Sequence, residues 1–300
     1  MSQKSKRIMT KSFFKSESCE ILLGDTRNIL PELATNSIQS CITSPPYWGL
    51  RDYGIQSQIG SEMKVEDYID NLVAIFGEVK RILKDNGTLW LNIGDSYTSG
   101  NRKWRQADKK NLAREMSYRP PNPDGLKDKE LIGIPWRLVF ALQADGWYLR
   151  SDIVWYKPNC QPESVKDRPT RAHEYVFLLT KSEKYFYDFE AIKEKTDING
   201  GVRNRRSVWS INTEPFRGPH FAVFPKALVC PCILAGTKRG DLILDPFLGA
   251  GTVAACAQEL GRRCLGVEIK KEYAELAKQR IKQGSLSLVY GYLDEKVQVA

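Results

Sequence analysis

The sequence predicts an α/β fold: a mainly parallel, Rossmann-like sheet whose two halves run in circularly permuted order. Three observations carry that expectation. Apolar runs of strand length alternate with helical periodicity at both ends of the chain. A strand, "LILDPF", enters a glycine-rich turn that opens directly into a helix. That unit lies so late that residues 246–300 are too few to complete a sheet, so strands before residue 95 must supply the rest.

The elements follow in order. Residues 1–18 hold Lys4, Lys6, Arg7, Lys11 and Lys15 before any acid, which reads as a loose basic arm. "CEILLGD" and "IQSCITSP" read as strands, the second stopped by Pro45-Pro46. Over 62–84, Val65, Tyr68, Leu72, Ile75 or Phe76, Val79 and Ile82 or Leu83 recur at helical spacing, and the helix is expected to end at Asn86-Gly87 before the strand "TLWLNI". A helix is expected over Leu131–Asp145, then strands in "LRSDIVWYKP" and "EYVFLLTK". The final order is strand "DLILDPF", helix "TVAACAQELG", strand "CLGVEI" and helix "KKEYAELAKQRIKQ". Residues 19–300 are expected to form one domain, interrupted by irregular basic stretches at 95–130 and 181–219.

Composition narrows the function. The 300 residues are 42% hydrophobic and 27% charged, and no apolar run is long enough to span a bilayer. The N-terminus lacks the apolar core of a secretory signal. A net charge of +9 fits a polyanionic partner. The seven cysteines form no framework, and one C-P-C pair with two distant histidines makes no zinc site. A cytoplasmic protein without membrane or metal is expected.

Two segments carry chemistry. In "LILDPFLGAGT", Gly249 and Gly251 allow close backbone approach to a ligand at a helix N-terminus, and Glu268 ends the next strand where a carboxylate can accept from ribose hydroxyls. The loop is neither GxGxxG nor a Walker sequence, and Asp245 suits a cationic cofactor better than a phosphate. In "CITSPPYWGLRDYG", the prolines fix a rim at a strand's C-terminal end, with acceptors at Ser44 and the Pro45 carbonyl beside the aromatic faces of Tyr47 and Trp48. Such a rim suits a planar group bearing an NH₂, such as a nucleobase.

With "LDPFLGAGT" downstream, the Ser-Pro-Pro-Tyr segment closely resembles the amino-group DNA methyltransferases, in the permuted order called the beta group. The resemblance implies an S-adenosylmethionine-dependent methyltransferase fold with inserted DNA-recognition loops. It assigns Ser44, Pro45, Pro46 and Tyr47 to catalysis. It assigns Asp25, Thr43, His220, Phe221, Pro225, Asp245, Pro246, Phe247, Gly249, Gly251, Thr252 and Glu268 to S-adenosyl-L-methionine. Serine at position 44 goes with cytosine N4 as the methylated atom, with adenine N6 as the alternative and an inactive DNA-binding protein of the same fold as a third reading. No cysteine lies in the catalytic motif to serve C5 chemistry.

Double-stranded DNA is the implied partner. Its candidate contacts are Trp48, Arg102, Lys103, Arg105, Arg168, Arg171, His173, Arg203, Arg205 and Arg206, with target recognition placed in 181–219. A cognate restriction endonuclease is a further implied partner, and monomer and homodimer both remain open.

Overall fold

The computed structural model describes residues 12–99, 120–196, 200–214 and 224–297, with side chains to 284. In chain order the elements are β1 (Ser12–Lys15), β2 (Cys19–Leu23), α1 (Thr26–Ile29), β3 (Ile38–Thr43), α2 (Val65–Ile82), β4 (Leu83–Ile93), α3 (Ile134–Ala144), β5 (Tyr148–Tyr156) and β6 (His173–Thr180). Then come β7 (Glu194–Lys195), β8 (Val202–Arg203), β9 (Val208–Ser210), α4 (Lys226–Gly236), β10 (Leu242–Asp245), α5 (Thr252–Glu259), β11 (Arg263–Glu268) and α6 (Lys271–Val297).

One nine-stranded sheet, ordered β1-β2-β11-β10-β3-β4-β6-β5-β9, takes strands from both halves of the chain. Strands β2, β11, β10, β3 and β4 are mutually parallel, while β6 is antiparallel to both β4 and β5. The last strands in sequence, β10 and β11, thus lie between the first ones, as the permuted order requires.

Alternation along the strands sends residues to two cores. Cys41, Leu89, Leu91 and Leu244 face α2 and α3. Ile42, Trp90 and Ile243 face α4, α5 and α6. Covered on both faces, β3 is buried at all six positions, and its polar Gln39, Ser40 and Thr43 are satisfied by side-chain hydrogen bonds with Asn86, Thr88 and Asp245. Helix α2 buries Val65, Tyr68, Ile69, Leu72, Ile75, Phe76, Val79 and Ile82 on one stripe, and Lys80 and Arg81 complement the dipole of its last turn.

Four expectations need correction. Part of the supposed loose arm, Ser12–Lys15, is the edge strand β1, paired antiparallel with β2. Asn86-Gly87 does not separate α2 from a strand, because β4 begins at Leu83 and runs through both residues. Helix α4 has no counterpart among the expected elements. Pro231 sits inside it and masks the pattern, yet Leu228, Val229, Cys232 and Ile233 are buried. Finally, 181–219 is not wholly an insertion, since β9 joins the main sheet parallel to β5 and Trp209 is core.

Candidate active site

Strands β10 and β3 are adjacent and parallel, but their crossovers diverge, through α5 to β11 and through α2 to β4. Such a switch point opens a crevice at the carboxyl ends of the strands. The glycine loop leaves β10 there and the Ser-Pro-Pro-Tyr segment leaves β3 beside it. One buried hydrogen bond joins the two strand ends: Thr43 Oγ1 donates to Asp245 Oδ1 at 2.7 Å. Above them is a cavity of about 1150 Å³ lined by Asp25, Ser44, Pro45, Pro46, Tyr47, Pro246, Phe247, Gly249, Thr252 and Glu268, all singled out in the sequence.

Other members of that set lie elsewhere. Thr43, Asp245 and Gly251 sit beneath the lining rather than in it. The Asp245 carboxylate also accepts from the Phe247 N–H at 3.1 Å, so it shapes the turn from below. Burial raises its pKa to about 7 against those two hydrogen bonds. Pro225 is the N-cap of α4 and is not in the lining, whereas its neighbour Phe224 is. His220 and Phe221 lie outside the described residues.

The glycine loop is held by groups that the motif does not contain. Arg280 of α6 donates to the Ala250 carbonyl at 2.9 Å and to Thr252 Oγ1 at 3.2 Å. It stands out in the sequence as a cation on the apolar Tyr273-Ala277-Ile281 face of α6. Gly251 adopts φ +78°, and a Cβ there would lie 2.8 Å from that of Ala277. Gly251→Ala is therefore expected to destabilise the protein by about 1–3 kcal/mol, seen as a lower denaturation midpoint.

Glu268, at the end of β11, accepts from the Gly249 N–H and the Lys270 N–H, both at 2.8 Å. Burial nonetheless lifts its pKa to about 7, because desolvation outweighs these bonds. Asp25 caps α1 and binds Arg27, which in turn donates to the Ser57 carbonyl at 2.9 Å. Burial works to raise the Asp25 carboxyl, but the Arg27 side chain and N–H outweigh it and hold the pKa below its ordinary value. Asp25 thus ties the end of β2 to the loop that follows Tyr47.

At the other end of the cavity, Tyr68 Oη donates to the Pro46 carbonyl at 2.8 Å and stiffens the tetrapeptide. Tyr47 Oη donates to Glu174 Oε2 at 2.8 Å, and Asn92 Nδ2 donates to the same oxygen at 3.2 Å. Lys157 pairs with the other oxygen of Glu174. Asn92, Lys157 and Glu174 all line the cavity but belong to no motif. The signal for them is a polar side chain at the end of, or within, each of the short apolar runs "LWLNI", "IVWYK" and "EYVFLL".

The candidate DNA contacts divide. Trp48 is core, its Nε1 bonded to the Glu62 carbonyl at 2.9 Å, so it packs the rim and offers no face to DNA. Arg171 lines the cavity, 3.8 Å from Asp95, and Arg168 pairs with Glu163 while lying over the Tyr97 ring. His173 lies edge-on to Tyr175 at the start of β6, and burial and then Arg171 push its pKa down. Arg203 and Arg206 both pair with Glu194, and Arg205 covers Trp209, so these arginines already have intramolecular partners. Arg102, Lys103 and Arg105 lie outside the described residues. Among the described residues there is no cluster fit for a metal ion and no helix long and apolar enough to cross a membrane.

Known proteins share both the sequence and this architecture. The chain is 61% identical over 265 residues to the Type II methyltransferase M.SmaI of Serratia marcescens, covering 88% of this chain and 91% of that one. The fold matches the cytosine-N4-specific PvuII DNA methyltransferase with a TM-score of 0.68 at 19% identity, over 90% and 89% of the two chains. It also matches a candidate DNA modification methylase of Thermus thermophilus, complexed with S-adenosyl-L-methionine, with a TM-score of 0.60 at 24% identity over 88% and 93%. The DNA methylase family profile matches residues 38–279, and with the permuted sheet and the joined motif loops it establishes that this chain belongs to the amino-group (N6/N4) DNA methylase family.

Proposed function

We propose that this protein is a site-specific DNA methyltransferase that places a methyl group from S-adenosylmethionine on the exocyclic N4 of a cytosine turned out of duplex DNA. The observation that carries this reading is the meeting of the Ser44–Tyr47 rim and the Gly249–Thr252 loop in one cavity. S-adenosylmethionine supplies an electrophilic methyl on a sulfonium. The cavity residues fit it: Glu268 offers a carboxylate for a ribose diol, Phe247, Tyr53 and Tyr273 offer ring faces, and the glycine loop offers backbone free of bulky side chains.

The amine of cytosine is a poor nucleophile because its lone pair is delocalised into the ring, so positioning and electrostatics carry the catalysis. Tyr47 supplies a stacking surface for the base. Ser44 Oγ and the Pro45 carbonyl accept the N4 hydrogens and turn the nitrogen lone pair towards the methyl group. One N–H proton leaves to solvent as the N–C bond forms and the S–C bond breaks. Ser44 orients and needs no unusual basicity.

Ser44 and the relatives' designation as Type II methyltransferases favour cytosine N4 and a cognate restriction endonuclease as partner. The stretches 95–130 and 181–219 are the proposed DNA-reading parts, and none of the seven cysteines is paired, which accords with work in the cytoplasm. Expression in a methylation-free host followed by base-resolution sequencing tests the reading. N4-methylcytosine at one short sequence is expected. N6-methyladenine would overturn the assignment of the base, and unmodified DNA with cofactor binding intact would favour the inactive DNA-binding protein.

A further inference from the structure

We propose that Glu174 is a positioning residue that holds the Tyr47 ring in place by accepting its hydroxyl, with Lys157 and Asn92 holding Glu174 in turn. The proposal rests on the functional reading above and extends it to three residues outside the methylase motifs. Tyr47 hangs from a loop, and a ring on a loop turns freely about its two side-chain torsions unless its far end is tied. Here it is tied. The hydroxyl meets Glu174 Oε2 at 2.8 Å, and Asn92 Oδ1 lies 3.4 Å away. Gly94 closes the side: a Cβ at that position would lie 2.7 Å from Tyr47 Cε2, so only a glycine lets the ring settle there.

The carboxylate is itself fixed. Its Oε1 pairs with Lys157, whose ammonium lies 4.1 Å from the centre of the Trp155 ring, and its Oε2 also receives Asn92. Asn92 is anchored to the Tyr175 carbonyl at 3.0 Å across the β4–β6 ladder. Side chains of Lys157 and Glu174 are only 16% and 19% exposed, so the pair is largely withdrawn from water in the wall of a ligand cavity. Such a pair is a weak source of stability, and its geometric role is the better account of it. Burial, and then the Glu174 charge, keep the Tyr47 phenol well above its ordinary pKa, so it stays a donor.

A double-mutant cycle on the full chain, with duplex DNA carrying the methylated sequence, tests this. Glu174→Ala is expected to lower kcat about ten- to a hundredfold with a smaller change in KM for DNA, as for loss of one hydrogen bond to a charged group. Glu174→Gln keeps a carbonyl acceptor and is expected to recover most of that loss. Tyr47→Phe should match Glu174→Ala, and the double variant should be no slower than the slower single one. Additive losses, or a Glu174→Gln variant as slow as Glu174→Ala beside a near-normal Tyr47→Phe, would overturn the proposal and leave Glu174 acting on DNA directly. If Glu174→Ala does not fold, Glu174→Gln is compared with Tyr47→Phe: a slow Tyr47→Phe beside a near-normal Glu174→Gln supports the proposal, and a near-normal Tyr47→Phe or a Glu174→Gln slower than Tyr47→Phe overturns it. A wild-type protein that methylates no DNA would overturn the functional reading and this proposal together. An active wild type with additive losses overturns this proposal alone.

Discussion

Tyr47→Ala is expected to lower kcat for DNA methylation by about two to three orders of magnitude while S-adenosylmethionine affinity stays within about twofold. Stacking of a base on an aromatic ring contributes about 1–3 kcal/mol. That alone accounts for roughly ten- to a hundredfold. The remainder, about another tenfold, comes from orientation, because a base free to shift loses its alignment with the methyl donor. The alanine also leaves the Glu174 acceptor without its phenol, so the cavity wall reorganises around Lys157 and Asn92.

Cofactor affinity is the control. Glu268 and the glycine loop lie across the cavity, and Thr43 and Asp245 hold that loop from beneath without touching Tyr47. Single-turnover kinetics separates the two effects. Normal single-turnover rates in Tyr47→Ala would mean that the ring does not position the base, and a large loss of cofactor binding would mean that it serves the fold of the whole crevice.

What the sequence made legible follows from where each signal resides. The glycine loop and the Ser-Pro-Pro-Tyr rim are contiguous, and their chemistry is written in neighbouring residues. Their meeting followed from the parallel strands that carry them. Glu174, Asn92 and Lys157 come together only through the antiparallel β4–β6–β5 ladders, whose register no local pattern states. The Arg203–Arg206 cluster shows the same limit in the opposite sense. It reads as a free basic patch until the β7–β8 pairing sets Glu194 opposite Arg203. Asp245 was visible as a loop acid, but its turn inward to Thr43 depends on the adjacent strand. Chemistry held within a segment was readable; chemistry held between segments required the sheet.

Binding of S-adenosylmethionine is expected to weaken about tenfold for each pH unit below about 7, with release of a proton, because Glu268 must be ionised to receive hydroxyl donors fully. Burial has raised this carboxyl to about 7 despite its hydrogen bonds from backbone N–H groups, so near neutral pH it is part-protonated before ligand arrives. Calorimetry at pH 6 in buffers of different ionisation enthalpy should show close to one proton released, and at pH 8 almost none. Glu268→Gln should bind weakly and without this dependence. The free protein has the opposite slope. Both Glu268 and Asp245 have folded pKa values raised to about 7, above their ordinary values, so the native state holds more protons than the unfolded chain. That contribution is complete below the ordinary carboxylate range and is lost as pH rises through about 7. Ligand binding stabilises most where this intrinsic contribution has gone. The rise in melting temperature on adding S-adenosylmethionine should therefore be larger at pH 8 than at pH 6, and an equal rise at both would show that Glu268 does not change its protonation on binding.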